Sequence, residues 1–232
     1  MNFVHIGAGA GDLDPCFNFK DGFTQYVKNN QYSNKNIYLV EPNPKNIIKL
    51  KECWKDYKHT KIFNCAIVPD NYPDSEIRLY YSLDDGPYYQ LMSFDQDFVK
   101  RHYPNSKIES FKIKALKIND FFEENFKDLI IESFSIDIEG LDYEVFMDID
   151  LKKYEIKNFS IEYLHLNRVQ KKNVINKFIE NGYSYNGFGI DYNNLDWLFT
   201  KKKSSWNNMI SKFLPFLRRT HYKRINKFLV NL

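Results

Sequence analysis

Short apolar runs alternate along this chain with longer segments whose apolar positions recur every three or four residues. Residues 3–6, 37–40 and 61–68 read as strands. A helix is expected at 22–30, between the first two. A second begins at Asn43-Pro44, an N-cap residue followed by proline at N1. Ile47, Ile48, Leu50 and Trp54 carry it to about Tyr57. Segments 77–81 and 107–118 alternate strictly, as half-buried strands do. Between them, 83–103 is irregular and polar-aromatic, a long loop with one helical turn at most and a candidate substrate-facing lid. Asn119 is expected to cap a short helix over 120–125. A strand at 134–138 precedes a short helix at 141–149, and a strand at 158–164 precedes a helix at 169–181 closed by Gly182. Residues 183–188 and 195–200 form a hairpin around the turn-rich segment 189–194. Strands alternating with helices imply a doubly wound, mostly parallel α/β sheet with helices on both faces, ending in an antiparallel hairpin.

Charge divides the chain into two parts. Residues 201–232 hold nine Lys and Arg and no Asp or Glu, leaving 24 basic against 30 acidic side chains in the rest, a net −6. We therefore read 1–203 as the folded domain and 204–232 as a basic amphipathic tail. Trp206, Phe213, Phe216, Leu217, Ile225 and Phe228 are interleaved there with Lys and Arg. Such a tail suits peripheral contact with an anionic membrane or packing on a second subunit. The acidic body carries no nucleic-acid-binding motif. Three cysteines, Cys16, Cys53 and Cys65, form no C-x-x-C pair, which points away from a disulfide scaffold and toward a reducing, cytoplasmic setting. No run approaches the ~18 apolar residues that span a bilayer, and no basic n-region of a signal peptide precedes the first strand. Aromatic residues make up 17% of the chain, enough for an aromatic core.

Chemistry concentrates where strands end. The first apolar run ends in Gly7-Ala8-Gly9-Ala10-Gly11, and the second in Glu41-Pro42. A glycine turn after one strand and an acid after the next is how α/β proteins hold an adenosine cofactor. A nicotinamide site wants its third glycine one residue later, and Asp12 would repel a pyrophosphate. S-adenosylmethionine has a cationic sulfur and no phosphate, so nearby acids suit it.

The order of motifs resembles the FkbM-type methyltransferases over roughly residues 3–200. It runs from Val4-His5-Ile6-Gly7-Ala8-Gly9-Ala10-Gly11 through Val40-Glu41-Pro42-Asn43-Pro44 and Asn64-Cys65-Ala66-Ile67. Leu116-Lys117-Ile118-Asn119-Asp120-Phe121-Phe122, Ser135-Ile136-Asp137-Ile138-Glu139-Gly140 and Ile161-Glu162-Tyr163-Leu164-His165 follow in turn. The resemblance implies a class I, Rossmann-like fold with a seven-stranded sheet and S-adenosylmethionine as cofactor. It also implies O-methylation of a hydroxyl on a saccharide or glycan precursor. By the same resemblance Gly7, Gly9 and Gly11, with His5, line the methionine end, and Glu41 binds the ribose. Asn64, Cys65 and Ala66 sit by the adenine. Asp137 lies near the sulfonium, Glu139 and Gly140 begin the next helix, and Glu162 and His165 stand over the substrate. This chain has His5 and Gly9 where relatives commonly carry Asp and Asn.

A sugar hydroxyl needs its proton drawn off, so a base is expected among Asp137, His165, Glu162 and Glu139. The three acids could also hold Mg²⁺, yet spacing does not separate that from hydrogen bonding, and no metal is assigned. The alternatives are an NAD-dependent oxidoreductase and a non-catalytic module that keeps the fold.

Overall fold

A computed structural model describes residues 1–13, 20–32, 34–85, 91–189 and 196–201. Cys16, residues 86–90 of the expected lid, the hairpin turn at 190–195 and the whole basic tail lie outside the described residues.

In chain order the elements are β1 (Asn2–Ile6), a 3₁₀ turn (Gly11–Leu13), α1 (Gly22–Asn29), β2 (Asn36–Val40), α2 (Pro44–Cys53), β3 (Thr60–Phe63) and β4 (Ala66–Val68). Next come β5 (Glu76–Ser82), β6 (Met92–Ser93), α3 (Gln96–His102), β7 (Ile108–Lys117), α4 (Ile118–Phe126) and β8 (Ile130–Ile136). The chain ends with α5 (Asp142–Asp148), β9 (Glu155–Glu162), α6 (Arg168–Glu180), β10 (Tyr183–Phe188) and β11 (Asp196–Lys201). Seven strands form one sheet in the order β10-β11-β9-β8-β1-β2-β3. The block from β3 to β9 is parallel, and β11 runs antiparallel to both β9 and β10. The expected hairpin is present, with its second strand inserted next to β9 and its first at the sheet edge. A second sheet, β4-β7-β5-β6, stands beside the first.

Three local expectations are corrected. Residues 61–68 form two strands in two sheets rather than one. The break falls at Asn64, whose amide donates to the carbonyls of Glu41 and Pro42, both at 3.0 Å. Segment 83–103 is less of a loop than its composition suggests. Met92 and Ser93 pair with Tyr81 and Tyr80, and α3 follows, capped by Asp95, whose carboxylate accepts from Asp97 N at 2.9 Å. Its apolar anchors, Phe98 and Val99, are adjacent, which left no helical periodicity to read. Asn119 does not cap α4, which begins one residue earlier without a side-chain cap. Its amide instead donates to the Asp148 carbonyl at 3.2 Å and to Asp70.

Strand alternation divides the core. Phe3, Ile37 and Leu39 pack with Phe23, Val27, Leu50 and Trp54 of the α1–α2 region. On the other face Val4, Ile6, Phe134, Ile136, Phe159 and Ile161 meet the aromatic faces of α4, α5 and α6. Phe159 lies 4.8 Å from Phe134, 5.3 Å from Phe146 and 5.2 Å from Phe178, ring centre to ring centre. Such offset and edge contacts add to the burial of each ring.

The crest of the sheet is where backbones approach most closely. Gly7 N and Ala8 N both donate to Val40 O, at 2.9 and 3.0 Å, and Asp137 N donates to Ile6 O at 3.0 Å. Gly7 has φ +85°, and a Cβ there would fall 1.7 Å from the Asp137 carbonyl oxygen. Gly9 is also left-handed, at φ +55°, but a Cβ there meets nothing within 4 Å. Steric exclusion and conformation therefore separate: Gly7→Ala should cost about 3 kcal/mol and Gly9→Ala about 1 kcal/mol. By thermal melting the first should lower Tm by at least about 6 °C and the second by about 3 °C; equal shifts would contradict the packing described.

Candidate active site

The strand ends enclose a cavity of about 360 Å³, within the usual range for small-ligand sites. Its floor is the glycine turn, with Gly7, Gly9 and Gly11 all in the lining together with His5. Glu41, Pro42 and Asn46 form one flank, and Cys65, Ala66 and Ile67 the next. Ile77, Leu79 and Met92 of the second sheet, with Phe94 just after β6, close the apolar side. Asp137, Ile138, Glu139 and Asp196 form the acidic side.

Glu41 ties these parts together. One carboxylate oxygen accepts from Gly9 N at 2.8 Å; the other accepts from Asn43 N at 2.8 Å and from the Asn46 amide at 3.4 Å. Burial pushes its pKa up to about 7 against the pull of these donors. Asn43 also caps α2, accepting from Lys45 N at 3.0 Å, so one short segment holds both the glycine turn and the helix start. His5 is buried against Phe23, ring centres 4.6 Å apart. Burial lowers its pKa, against the opposing pull of Asp21, and so favours the neutral imidazole.

The acidic side is built by a strained loop. Asp142 accepts from Ile138 N at 2.9 Å and from Gly140 N at 3.2 Å, which folds the segment back on itself. Glu139 is held left-handed at φ 53°, and Ser93 of β6 donates to its carbonyl at 2.7 Å. Glu139 thus precedes α5 by a turn instead of opening it. Its carboxylate reaches His165 Nε2 at 3.4 Å, and that of Glu162, at the end of β9, reaches the same nitrogen at 3.5 Å. Leu166 N closes a turn onto Tyr163 O at 3.2 Å, bringing His165 back over the strand end. The edge of Phe98 on α3 packs on the imidazole, ring centres 4.7 Å apart.

Burial raises the Glu162 pKa to about 9, with Glu139, Asp142 and Asp196 adding repulsion. Burial, then Glu162 and Glu139, likewise pushes Asp137 well above the carboxylate range. Among the described residues Asp137 Oδ1 is buried without a hydrogen-bond partner, while Glu139 Oε2 has the His165 imidazole as its contact. The site is short of positive charge. Glu139, Glu162 and His165 place a donor atom each within 4.8 Å of one another, as do Asp137, Asp142 and Glu162, so either group has donors that a hard divalent cation accepts.

The structure thus gathers His5, the three glycines, Glu41, Cys65, Ala66, Asp137 and Glu139 into one lining. Glu162 and His165 stand behind Glu139 rather than in the lining. Asn64 stands apart from it, its amide committed to the turn after β2. Asp12 is also turned away, paired with Lys28 at 3.3 Å and hydrogen-bonded to Gln25 at 2.6 Å, so it puts no charge into the cavity. Asp21, Asn46, Ser135, Ser160 and Asp196 are polar lining residues that the sequence did not single out. For Asn46 a signal existed: it lies on the first turn of the helix that follows Glu41.

The family model described as the methyltransferase FkbM domain matches residues 5–185. Among curated proteins no sequence match reaches significance. Solved structures similar to this chain include the fibrillarin of Aeropyrum pernix, crystallised with natively bound S-adenosyl-L-methionine. There the identity is 9%, the TM-score 0.40, and the match covers 85% of this chain and 64% of that one, just under two thirds of its length. Another is the precorrin-6y C5,15-methyltransferase of Geobacter metallireducens, with 13% identity, a TM-score of 0.40, and coverage of 88% and 80%. The family model spans the glycine turn, Glu41, Asp137, Glu139, Glu162 and His165, and the chain belongs to the FkbM methyltransferase family, enzymes that draw their methyl group from S-adenosylmethionine.

Proposed function

We propose that this enzyme methylates a hydroxyl of a saccharide or glycan precursor, with His165 as the base. The observation that carries this reading is the single imidazole held between Glu139 and Glu162. The cavity also fits the cofactor. The open side of Gly9 leaves room for ligand, Glu41 stands where ribose hydroxyls would meet it, and the unpartnered Oδ1 of Asp137 suits a cationic sulfur. Bound S-adenosylmethionine supplies a methyl group already activated by that charge. What the chain must add is alignment and removal of the hydroxyl proton. The Glu139 carboxylate beside Nε2 keeps the imidazole proton there, which leaves the Nδ1 lone pair to take the acceptor's proton. The same carboxylate stabilises the imidazolium that results. Phe98 fixes the ring, and Phe94, 40% exposed at the cavity wall, offers an apolar face to a sugar ring.

The acceptor is read as a small molecule or glycan rather than nucleic acid, and the setting as cytoplasmic. No helix among the described residues is long and apolar enough to cross a membrane. The basic tail is proposed to touch an anionic membrane surface or a second subunit.

Two outcomes are expected. His165→Gln should lower kcat by about 10²-fold or more, the usual share of a general base, while S-adenosylhomocysteine affinity by calorimetry stays within about twofold. Activity should survive EDTA; loss on chelation and recovery with Mg²⁺ would move the acidic group from base support to metal binding. The second concerns charge. In the free protein Glu162 holds its proton below about pH 9. A cation brought beside Asp137 and Glu162 favours their ionised forms, so S-adenosylmethionine binding should release protons. Its affinity should therefore rise between pH 7 and 9, more steeply than that of uncharged-sulfur S-adenosylhomocysteine. Parallel pH profiles for the two would show that the acids do not face the sulfur.

A further inference from the structure

Glu41 cannot hold both ribose hydroxyls by itself. A carboxylate has roughly four acceptor positions, and three are filled from within the chain: Gly9 N on one oxygen, Asn43 N and the Asn46 amide on the other. One position remains, on the oxygen that Gly9 shares. A ribose presents two adjacent hydroxyls, so one of them needs an acceptor elsewhere.

Asn46 offers one. Its side chain is buried, with 6% of the residue exposed, and it lines the cavity next to Glu41. Its amide nitrogen faces the Glu41 carboxylate at 3.4 Å, while Oδ1 has no hydrogen-bond partner. The amide cannot be turned round to relieve this. Rotation would set Oδ1 against Glu41 Oε1, an oxygen already accepting from Asn43 N, and lose the one bond the nitrogen makes. A buried carbonyl-type oxygen without a donor is costly, and Glu41 fixes the orientation that maintains that cost. The group is thus set to receive a donor from a ligand.

We propose that Asn46 Oδ1 accepts one hydroxyl of the cofactor ribose while the free position on Glu41 accepts the other. The diol is held by an acid–amide pair, and Glu41 does double duty, bracing the glycine turn through Gly9 and presenting a single acceptor to the sugar. This inference rests on the reading that places the ribose against Glu41. It makes Asn46 a determinant of selectivity for an intact diol: a nucleoside lacking either hydroxyl leaves one buried oxygen unsatisfied.

The test is calorimetric binding of S-adenosylhomocysteine and its 2′-deoxy and 3′-deoxy analogues to the full chain and to Asn46→Ala. The intact chain should bind each deoxy analogue about tenfold more weakly, one lost hydrogen bond apiece. Asn46→Ala should bind S-adenosylhomocysteine about tenfold more weakly. It should also cease to discriminate against one deoxy analogue while still discriminating against the other. That selective loss identifies which hydroxyl Asn46 holds. A purely structural role through Glu41 predicts something else, with both analogues still penalised equally in the variant, and that result overturns the proposal. So does an intact chain indifferent to both deoxy analogues, which would place the ribose away from this corner altogether. Failure of the intact chain to bind S-adenosylhomocysteine would remove the cofactor site itself, a result distinct from either. Should Asn46→Ala not fold, Asn46→Ser is read by the same pattern.

Discussion

Crowding of carboxylates at the crest of the sheet is the constraint around which the rest of the structure is arranged. Asp137, Glu139, Asp142 and Glu162 repel one another in a buried setting, and His165 is the basic side chain in contact with them. An uncompensated group of this kind is tolerated only if its members are neutralised or paired. Asp142 is satisfied by backbone N–H groups, and in return it folds the loop that holds Glu139 left-handed. Burial and mutual repulsion push Asp137 well above the carboxylate range and Glu162 up to about 9. A ligand carrying positive charge relieves the whole group at once. On the proposed placement of the sulfonium beside these acids, that charge is lost with the methyl, and the arrangement favours the reactant over the product.

The second sheet completes what the first leaves open. A parallel sheet gives a crevice at its carboxyl ends but no far wall. Here β4, β5 and β6 supply that wall through Ile67, Ile77, Leu79 and Met92, and Ser93 fastens it to the Glu139 loop. The helix after β6 reaches His165 through Phe98. His165 and the wall are therefore joined through packed side chains, although they are far apart in sequence.

The main sheet was legible because its signals are local. Alternation, glycines after β1, an acid after β2, and Gly182 after α6 each report their own surroundings. Residues 61–68 were not, because an apolar run looks the same whether it serves one sheet or two; Asn64 marks the break only through carbonyls more than twenty residues away. The helix Gln96–His102 was hidden by its shortness. Within the site, strand-end residues such as Asp137 and Glu41 could be nominated from position. Ser160 could not, since strand polar residues often face solvent, and only the folded chain shows which ones line a cavity. Asp12 shows the reverse error: it stands beside the glycines in sequence, yet its carboxylate faces Lys28.

The two halves of the cavity differ in how they are built, and that difference bears on specificity. The cofactor half is braced by strand ends and by the Glu41 carboxylate, which locks the glycine turn to the start of α2. Pre-organisation of this kind lowers the ordering cost of binding and leaves little room for variation. On the proposed reading the acceptor is met by Phe94 and the strained Glu139 segment of the lining and by Phe98 and the Tyr163–Leu166 turn beyond it, connections and a short helix rather than strands. Connections tolerate changes of length and composition that strand ends do not. A change of acceptor therefore belongs to the region between β5 and β7 and the turn after β9, while the sheet crest and its charge stay as they are.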